Sequence, residues 1–304
     1  MSYRDAKVSE TEPTGRGLAQ NAPPLPGCPI CGGRTVKRFS KECNGMDVDY
    51  LLCLSCSHLT AGEISKAPRY DGGEYFKEID TGWKERNATI LRMIKLLTRL
   101  PGIRLSARST VLDFGCGTGR LVSDLNHAGF RACGFEPYPE SGAASENLFT
   151  DWNQARQTLG PVDLLACIEV LEHLRDPDDF MQKASQALAP GGYLLISTGI
   201  FNTRSHDEDW WYLGPEAGHV SIFSENSLRL LLDRYQFQPI FRGNDMVWLF
   251  RSVATRRRTL SEREYFALSQ MREWVKVRVA RFARKALGAG WRPPTILRRL
   301  WENL

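Results

Sequence analysis

The chain has 304 residues, 42% of them hydrophobic and 25% charged, enough for one full α/β domain and a small additional module. No apolar run reaches the roughly 18 residues of a membrane span. Met1–Ala22 has no stretch that reads as a secretory signal, so the expectation is a cytoplasmic protein whose eight cysteines form no disulfide framework. The net charge of +5 is uneven: residues 251–304 hold 14 Lys and Arg against 4 Asp and Glu, which leaves residues 1–250 at −5. An acidic body suits a cationic ligand at least as well as a nucleic acid.

Residues 1–26 are rich in Pro, Gly, Ser and charge and are expected to be a disordered lead-in. Residues 27–62 contain Cys28-Pro29-Ile30-Cys31 and Cys53-Leu54-Ser55-Cys56, two C-x-x-C pairs separated by 21 residues. Each pair can place two thiolates on one tetrahedral ion, and Gly32-Gly33 frees the backbone for the turn around it. The segment therefore reads as a zinc ribbon with Cys28, Cys31, Cys53 and Cys56 as ligands. At roughly 30 residues it has too little core to fold unaided, and bound zinc typically supplies about 10–16 kcal/mol. The metal is thus expected to be structural, the ribbon to be separate from the core that follows, and His58 to be a surface residue rather than a ligand. Cys43, Cys133 and Cys167 read as small core residues.

Residues 63–102 read as a linker and a lid helix, in which Ile90, Ile94 and Leu97, with Met93 beside them, recur at helical spacing until Pro101-Gly102. Residues 103–252 alternate between strands near 110–114, 130–135, 162–168 and 192–198 and helices near 118–128 and 177–188. That alternation predicts a Rossmann-like, doubly wound α/β domain with a mostly parallel sheet. Asp176-Pro177 opens the second helix, and Pro190-Gly191-Gly192 reads as a stop before the next strand. Residues 136–160 yield nothing beyond a short strand at Leu148–Thr150. Ser224 caps a helix with Leu228, Leu231 and Leu232 inside, and strands near 237–242 and 246–252 around Gly243-Asn244-Asp245 predict a C-terminal antiparallel hairpin. Residues 253–304 read as a basic amphipathic helical tail, with Leu268, Met271, Val275, Val279, Phe282 and Ala286 on one stripe and Lys276, Arg281, Arg284 and Lys285 off it. Such a helix can pack on the domain, contact RNA or lie on an anionic membrane, and Arg256-Arg257-Arg258 with Arg298-Arg299 keeps open a peripheral place at the inner membrane surface.

The most informative run is Val111-Leu112-Asp113-Phe114-Gly115-Cys116-Gly117-Thr118-Gly119-Arg120, which joins a buried strand to a glycine turn and a helix. Glu136, 21 residues after Gly115, closes the next apolar stretch with Pro137 behind it. The glycines let the backbone approach a ligand closely. Their G-x-G-x-G spacing behind Asp113 differs from the dinucleotide fingerprint, and an aspartate there argues against a pyrophosphate and for a cationic ligand. The chain here resembles the class I S-adenosylmethionine-dependent methyltransferases. The resemblance implies that Asp113, Gly115, Cys116, Gly117, Gly119, Glu136, Pro137 and Glu169 surround S-adenosylmethionine, with Glu136 on the ribose. Tyr70, Tyr75 and Phe76 resemble the aromatic segment that covers the cofactor in related enzymes, or else pack the ribbon onto the domain.

Two more segments extend the resemblance. Pro161 to Leu174 looks like the fourth-strand motif of small-molecule methyltransferases, including the ubiquinone-pathway O-methyltransferases. Trp211-Tyr212 with Gly218 to Ser224 is similar to the acceptor side of that group and of zinc-ribbon sugar C-methyltransferases. Methyl transfer to oxygen or carbon of a small molecule, sugar-containing or lipid-linked, is the implied function. His219, on the acceptor-side loop, is the candidate base. Glu169, Glu172 and His173 form E-x-x-E-H and with His219 make a candidate divalent-metal site, resembling metal-assisted RNA 2′-O-methyltransferases except that Leu174 stands where those carry a second histidine. The alternative is that Glu169 faces the cofactor while Glu172 and His173 cap the next helix. An RNA methyltransferase and a catalytically idle scaffold protein are the competing functions. The acidic body counts against the first, and the intact glycine turn against the second.

Overall fold

A computed structural model of the protein describes residues 25–64, 82–139, 146–242 and 246–253. The ribbon is an antiparallel hairpin, β1 (Thr35–Cys43) and β2 (Met46–Cys53), followed by β3 (Leu59–Ala61) on β2. Asn44 and Gly45 both take positive φ, 53° and 81°, the twist a two-residue hairpin turn needs. After it come α1 (Trp83–Leu97), β4 (Thr110–Phe114), α2 (Arg120–His127), β5 (Arg131–Phe135), β6 (Leu148–Phe149), α3 (Trp152–Leu159) and β7 (Val162–Ile168). The described chain ends with α4 (Pro177–Ala187), β8 (Leu188–Ser197), β9 (Ser221–Ile222), α5 (Glu225–Arg234), β10 (Phe237–Arg242) and β11 (Val247–Ser252).

Seven of these strands form one sheet in the order β10-β11-β8-β7-β4-β5-β6. Five neighbours from β6 to β8 run parallel, and β11 and β10 turn antiparallel at the edge, as the sequence predicts. The central strands are largely apolar because both faces are covered, so β7 buries Val162 and then, past Asp163, Leu164, Leu165, Ala166 and Cys167 in succession. On one face Ile90, Ile94 and Leu97 of α1 and Leu121, Val122 and Leu125 of α2 pack with Val111, Leu164 and Leu195. On the other, Phe180, Met181 and Ala184 of α4 and Leu228, Leu231 and Leu232 of α5 pack with Leu112, Leu165 and Ile196. Both helices on that second face start at side-chain caps. Asp176 accepts from Asp178 N–H and Asp179 N–H ahead of Pro177 at the first helical position, while Ser224 and Ser227 form a reciprocal capping box.

Three expectations change. Pro190-Gly191-Gly192 is not a stop: α4 hands over directly to β8 at Leu188, and the proline and glycines form an irregularity inside the strand, where pairing with β7 jumps from Val162↔Leu188 to Leu164↔Tyr193. The unread stretch holds α3, capped by Asp151, whose carboxylate accepts from Gln154 N–H at 2.7 Å. His58 is not at the surface but fully buried, its ring 4.9 Å from that of Phe223 and its Nε2 3.3 Å from Ser221 Oγ.

The ribbon is also joined to the domain. β3 pairs with β9, Leu59↔Ile222 and Thr60↔Ser221, so the four-stranded sheet β1-β2-β3-β9 borrows its last strand from the domain. Cys28, Ile30, Cys53 and Cys56 share one apolar cluster with Leu112, Phe180 and Phe223. No described helix is long and apolar enough to cross a membrane. The lead-in at 1–24, Tyr70, Tyr75 and Phe76, the turn at 243–245 and the basic tail from 254 onward lie outside the described residues.

Candidate active site

The chain runs from β4 outward to β5 and β6 and then returns to β7 on the opposite side of β4. A crevice opens at such a reversal, at the carboxyl ends of the strands. Its floor is the glycine turn, tied to the end of β5 by Gly115 N–H and Cys116 N–H, which both donate to Phe135 O at 2.8 and 3.2 Å. Gly115 and Gly119 each have φ of 73°, and a Cβ would stand 2.5 Å from Val170 Cγ2 at the first and 2.9 Å from Leu148 Cδ2 at the second. Only glycine fits both conformation and space. Trp83, which opens α1, lies 3.9 Å beneath the Arg120 guanidinium and so brings the start of that helix beside this turn.

Glu136 follows the last residue of β5 and stands over the turn. Its Oε2 accepts from Gly117 N–H and its Oε1 from Tyr138 N–H, both at 3.0 Å, an arrangement that leaves further lone pairs on each oxygen for hydroxyl donors. Asp113, buried one strand over, is pushed up to about 7 by desolvation, with the Glu136 carboxylate adding and the Arg86 guanidinium opposing. A cation brought to this crevice would favour the charged form of both acids. Cys116 is half-buried in the turn, its thiol raised above the usual range by desolvation, whereas Pro137 is exposed beyond Glu136.

Across the crevice, Glu169 follows the last residue of β7 in the left-handed region, φ 54°, uncommon for a residue with a Cβ. Ser197 Oγ donates to its Oε1 and Tyr212 OH to its Oε2. Glu172, in a single helical turn at Leu171–His173, is fully buried. Its Oε2 accepts from Thr198 Oγ1 at 3.0 Å while its Oε1 has no hydrogen-bond partner among the described residues. Desolvation first and the neighbouring Glu169 second push its acid up to about 8, with the Tyr212 hydroxyl nearby acting to lower it. Asp176, not Glu172 or His173, caps the helix that follows.

Glu172, His173 and His219 each present one ligand atom, and these atoms lie within 4.8 Å of one another. The imidazoles meet edge to face at 4.9 Å. His219 Nδ1 donates to Tyr212 O at 2.7 Å and His173 Nδ1 to Gly218 O at 3.3 Å, so in each neutral ring Nε2 is the basic nitrogen. Desolvation keeps both neutral, His173 at about 3 and His219 below its usual value. The sequence expectation included Glu169 in this group, but its carboxylate is engaged by Ser197 and Tyr212 outside the three-residue cluster.

In the ribbon, Cys28, Cys31, Cys53 and Cys56 bring their sulfurs within 4.8 Å of one another, with 3.6 Å between Cys28 and Cys56 and 3.4 Å between Cys31 and Cys53. Four ligands at about 2.3 Å from a tetrahedral zinc ion stand roughly 3.8 Å apart. Ile30 N–H and Cys56 N–H point at the sulfurs of Cys28 and Cys53, as thiolates require.

Ser197, Thr198 and Arg86 were missed by sequence reasoning. Ser197 and Thr198 sit where the apolar run of β8 ends, at the carboxyl edge of the sheet, a position that would have flagged them. Arg86 lies on a helix chosen only for its apolar stripe.

Residues 83–240 match the family model described as a methyltransferase domain. The chain is 33% identical over 127 residues to the ubiquinone biosynthesis O-methyltransferase of Yersinia pestis (strain Pestoides F), covering 38% of this chain and 51% of that protein. It thus spans about half the length of the relatives it matches. Among solved structures it is similar to an O-methyltransferase family protein from Burkholderia thailandensis, with TM-score 0.42, 15% identity, and 64% of this chain and 66% of that one covered. It is also similar to a SAM-dependent methyltransferase from Archaeoglobus fulgidus, with TM-score 0.41, 17% identity, and 55% and 76% covered.

Proposed function

The chain belongs to the methyltransferase domain family, in the class I, S-adenosylmethionine-dependent form, and from that premise we propose that it transfers a methyl group to a hydroxyl oxygen of a small molecule. One observation carries the choice of oxygen: a buried carboxylate oxygen, Glu172 Oε1, has no hydrogen-bond partner among the described residues and lies in a cluster with two neutral imidazoles whose Nδ1 atoms are held by backbone carbonyls. An orphaned buried acceptor is costly, by about 1–3 kcal/mol, and a divalent cation would satisfy it. Imidazole and carboxylate are ligands of that class.

S-adenosylmethionine supplies the activated methyl, and a divalent cation at Glu172, His173 and His219 would supply Lewis acidity to an acceptor hydroxyl. The remaining work belongs to the chain. Glu136 would hold the ribose hydroxyls, Asp113 would balance the cationic end of the cofactor, and Gly115 to Gly119 would let the backbone approach it closely. Tyr212 and Ser197 hold Glu169 still, and Thr198 orients Glu172. His219 Nε2, kept unprotonated by the Nδ1 bond to Tyr212 O, either ligates the cation or takes the acceptor proton directly. Aligning acceptor and methyl can lower the barrier by about 7–11 kcal/mol. Zinc held by Cys28, Cys31, Cys53 and Cys56 is structural, since four cysteines leave no open coordination position. A sugar-containing or lipid-linked acceptor is the narrower proposal.

Methyl transfer from labelled S-adenosylmethionine to a panel of phenols, catechols and sugars, before and after a chelator that leaves the ribbon zinc in place, tests the function. Activity lost with the chelator and restored by Mg²⁺ or Mn²⁺ is the expected result. Activity that survives chelation removes the divalent cation from the mechanism.

A further inference from the structure

The ribbon reaches the acceptor side through side chains with no part in binding zinc. Tyr50, fully buried on β2, donates its hydroxyl to His219 O at 3.1 Å. His58, two residues after Cys56, meets Ser221 Oγ at 3.3 Å, and Ser224 Oγ donates to Cys56 O at 2.5 Å. Between these contacts the backbone is continuous: Ala61 N–H donates to Val220 O at 2.9 Å, and Val220 N–H donates to Glu172 O at 2.8 Å. The residue after His219 is therefore bonded on one side to the ribbon and on the other to the turn that carries Glu172 and His173. Arg175, two residues past His173, extends the contact by donating to Ala61 O and Gly62 O at 3.3 and 3.0 Å. Among the described residues the glycine turn makes no comparable hydrogen bond to the ribbon, being fixed instead to β5.

Building on the assignment of Glu172, His173 and His219 to the reacting cluster, we propose that Tyr50 and His58 are positioning residues of the acceptor side. Through His219 O and Ser221 Oγ they hold His219 against Glu172 and His173, so that these two side chains orient this cluster by bonds in which the glycine turn takes no part. The geometry suits that division. The β3 and β9 strands are three and two residues long, too short to fix a register by themselves, and the side-chain bonds add to it, Tyr50 at His219 just before β9 and His58 at Ser221 within it. A hydroxyl and an imidazole fully enclosed in the protein are expensive to bury without such partners.

The test uses the full-length, zinc-containing chain and two substitutions outside the cluster, Tyr50→Phe, which removes only the hydroxyl, and Ser221→Ala, which removes the partner of His58. Three quantities are read: Mn²⁺ affinity by electron paramagnetic resonance, the ¹⁵N imidazole signals of His219 (assigned by their loss in His219→Ala), and S-adenosylmethionine affinity by calorimetry, with zinc content measured on the same samples. Each substitution should weaken Mn²⁺ binding by about 10-fold or more, the range for partners that orient metal ligands. Each should also move the His219 signals away from the single tautomer that has the proton on Nδ1, with cofactor affinity and zinc content unchanged. Wild-type affinity and wild-type His219 signals in both variants would overturn the inference while leaving the proposed function standing. If the wild-type protein itself binds no Mn²⁺, the divalent-cation proposal fails separately, and the His219 signals alone decide the role of Tyr50. Should Tyr50→Phe fail to fold, the same readings on Ser221→Ala decide it.

Discussion

His219 Nδ1 lies 2.7 Å from the carbonyl oxygen of Tyr212, and since a carbonyl can only accept, the proton of the neutral ring resides on Nδ1 and the lone pair on Nε2. That bond sets both the orientation and the basic atom of the residue placed on the acceptor side. His219→Ala should lower turnover by about 10²–10⁴-fold, the range for a positioned acid–base group, with S-adenosylmethionine affinity nearly unchanged because the glycine turn lies on other strands. Steady-state kinetics paired with calorimetry checks it. Near-normal turnover would take His219 out of the mechanism.

Glu136 is held by two backbone donors, from Gly117 and Tyr138, and under the proposed function it would also receive the ribose hydroxyls. Glu136→Ala should weaken S-adenosylmethionine binding by about 1–3 kcal/mol, the cost of losing a charged hydrogen-bond partner. The fold should survive, since Glu136 follows the last residue of β5 and is only half-buried. Unchanged affinity in a titration of the purified variant would mean that another group holds the ribose.

What the sequence made legible follows from what has a pattern. The glycine turn, β4, β7 and the edge hairpin stand out because buried parallel strands are continuous apolar runs punctuated by turn residues. The cysteine pairs stand out by spacing. Helix α3 does not, because Ala155 is its one buried residue and no apolar stripe marks it. The β3–β9 pairing involves so few residues that no period can form, and nothing in the sequence around His58 marks it as buried, because its burial depends on Phe223 and Ser221, more than 160 positions away. The cluster of Glu172, His173 and His219 was legible in its members but not in its selection: only the fold shows Glu169 claimed by Ser197 and Tyr212, with Glu172 Oε1 unbonded among the described residues.

The ribbon should bind one zinc ion per chain through Cys28, Cys31, Cys53 and Cys56. Because these cysteines share a core with Leu112, Phe180 and Phe223, losing the metal should be felt beyond the ribbon. Cys53→Ser should abolish stoichiometric zinc and lower the melting temperature of the whole chain. Metal analysis with thermal unfolding decides the matter, and a folded, active preparation devoid of zinc would falsify the assignment.

Asp113 gives the cofactor site a pH dependence whose sign can be worked out. Burial raises its acid to about 7, so the protein without cofactor holds a proton there at lower pH, whereas a cationic ligand favours the carboxylate. Binding must then release that proton. Affinity for S-adenosylmethionine should be flat above pH 7 and fall below it, approaching about tenfold per pH unit as the protonated form dominates. The same shift acts on stability in the opposite sense: the native state binds more protons than the unfolded chain between about pH 4 and 7, so this residue's contribution falls as pH rises through that window. Asp113→Asn should flatten the binding profile below pH 7 and weaken affinity above it. Calorimetry from pH 5.5 to 8.5 in buffers of different ionisation enthalpy counts the released proton directly, and a wild-type profile that is level across pH 7 would show that Asp113 keeps its charge without the ligand.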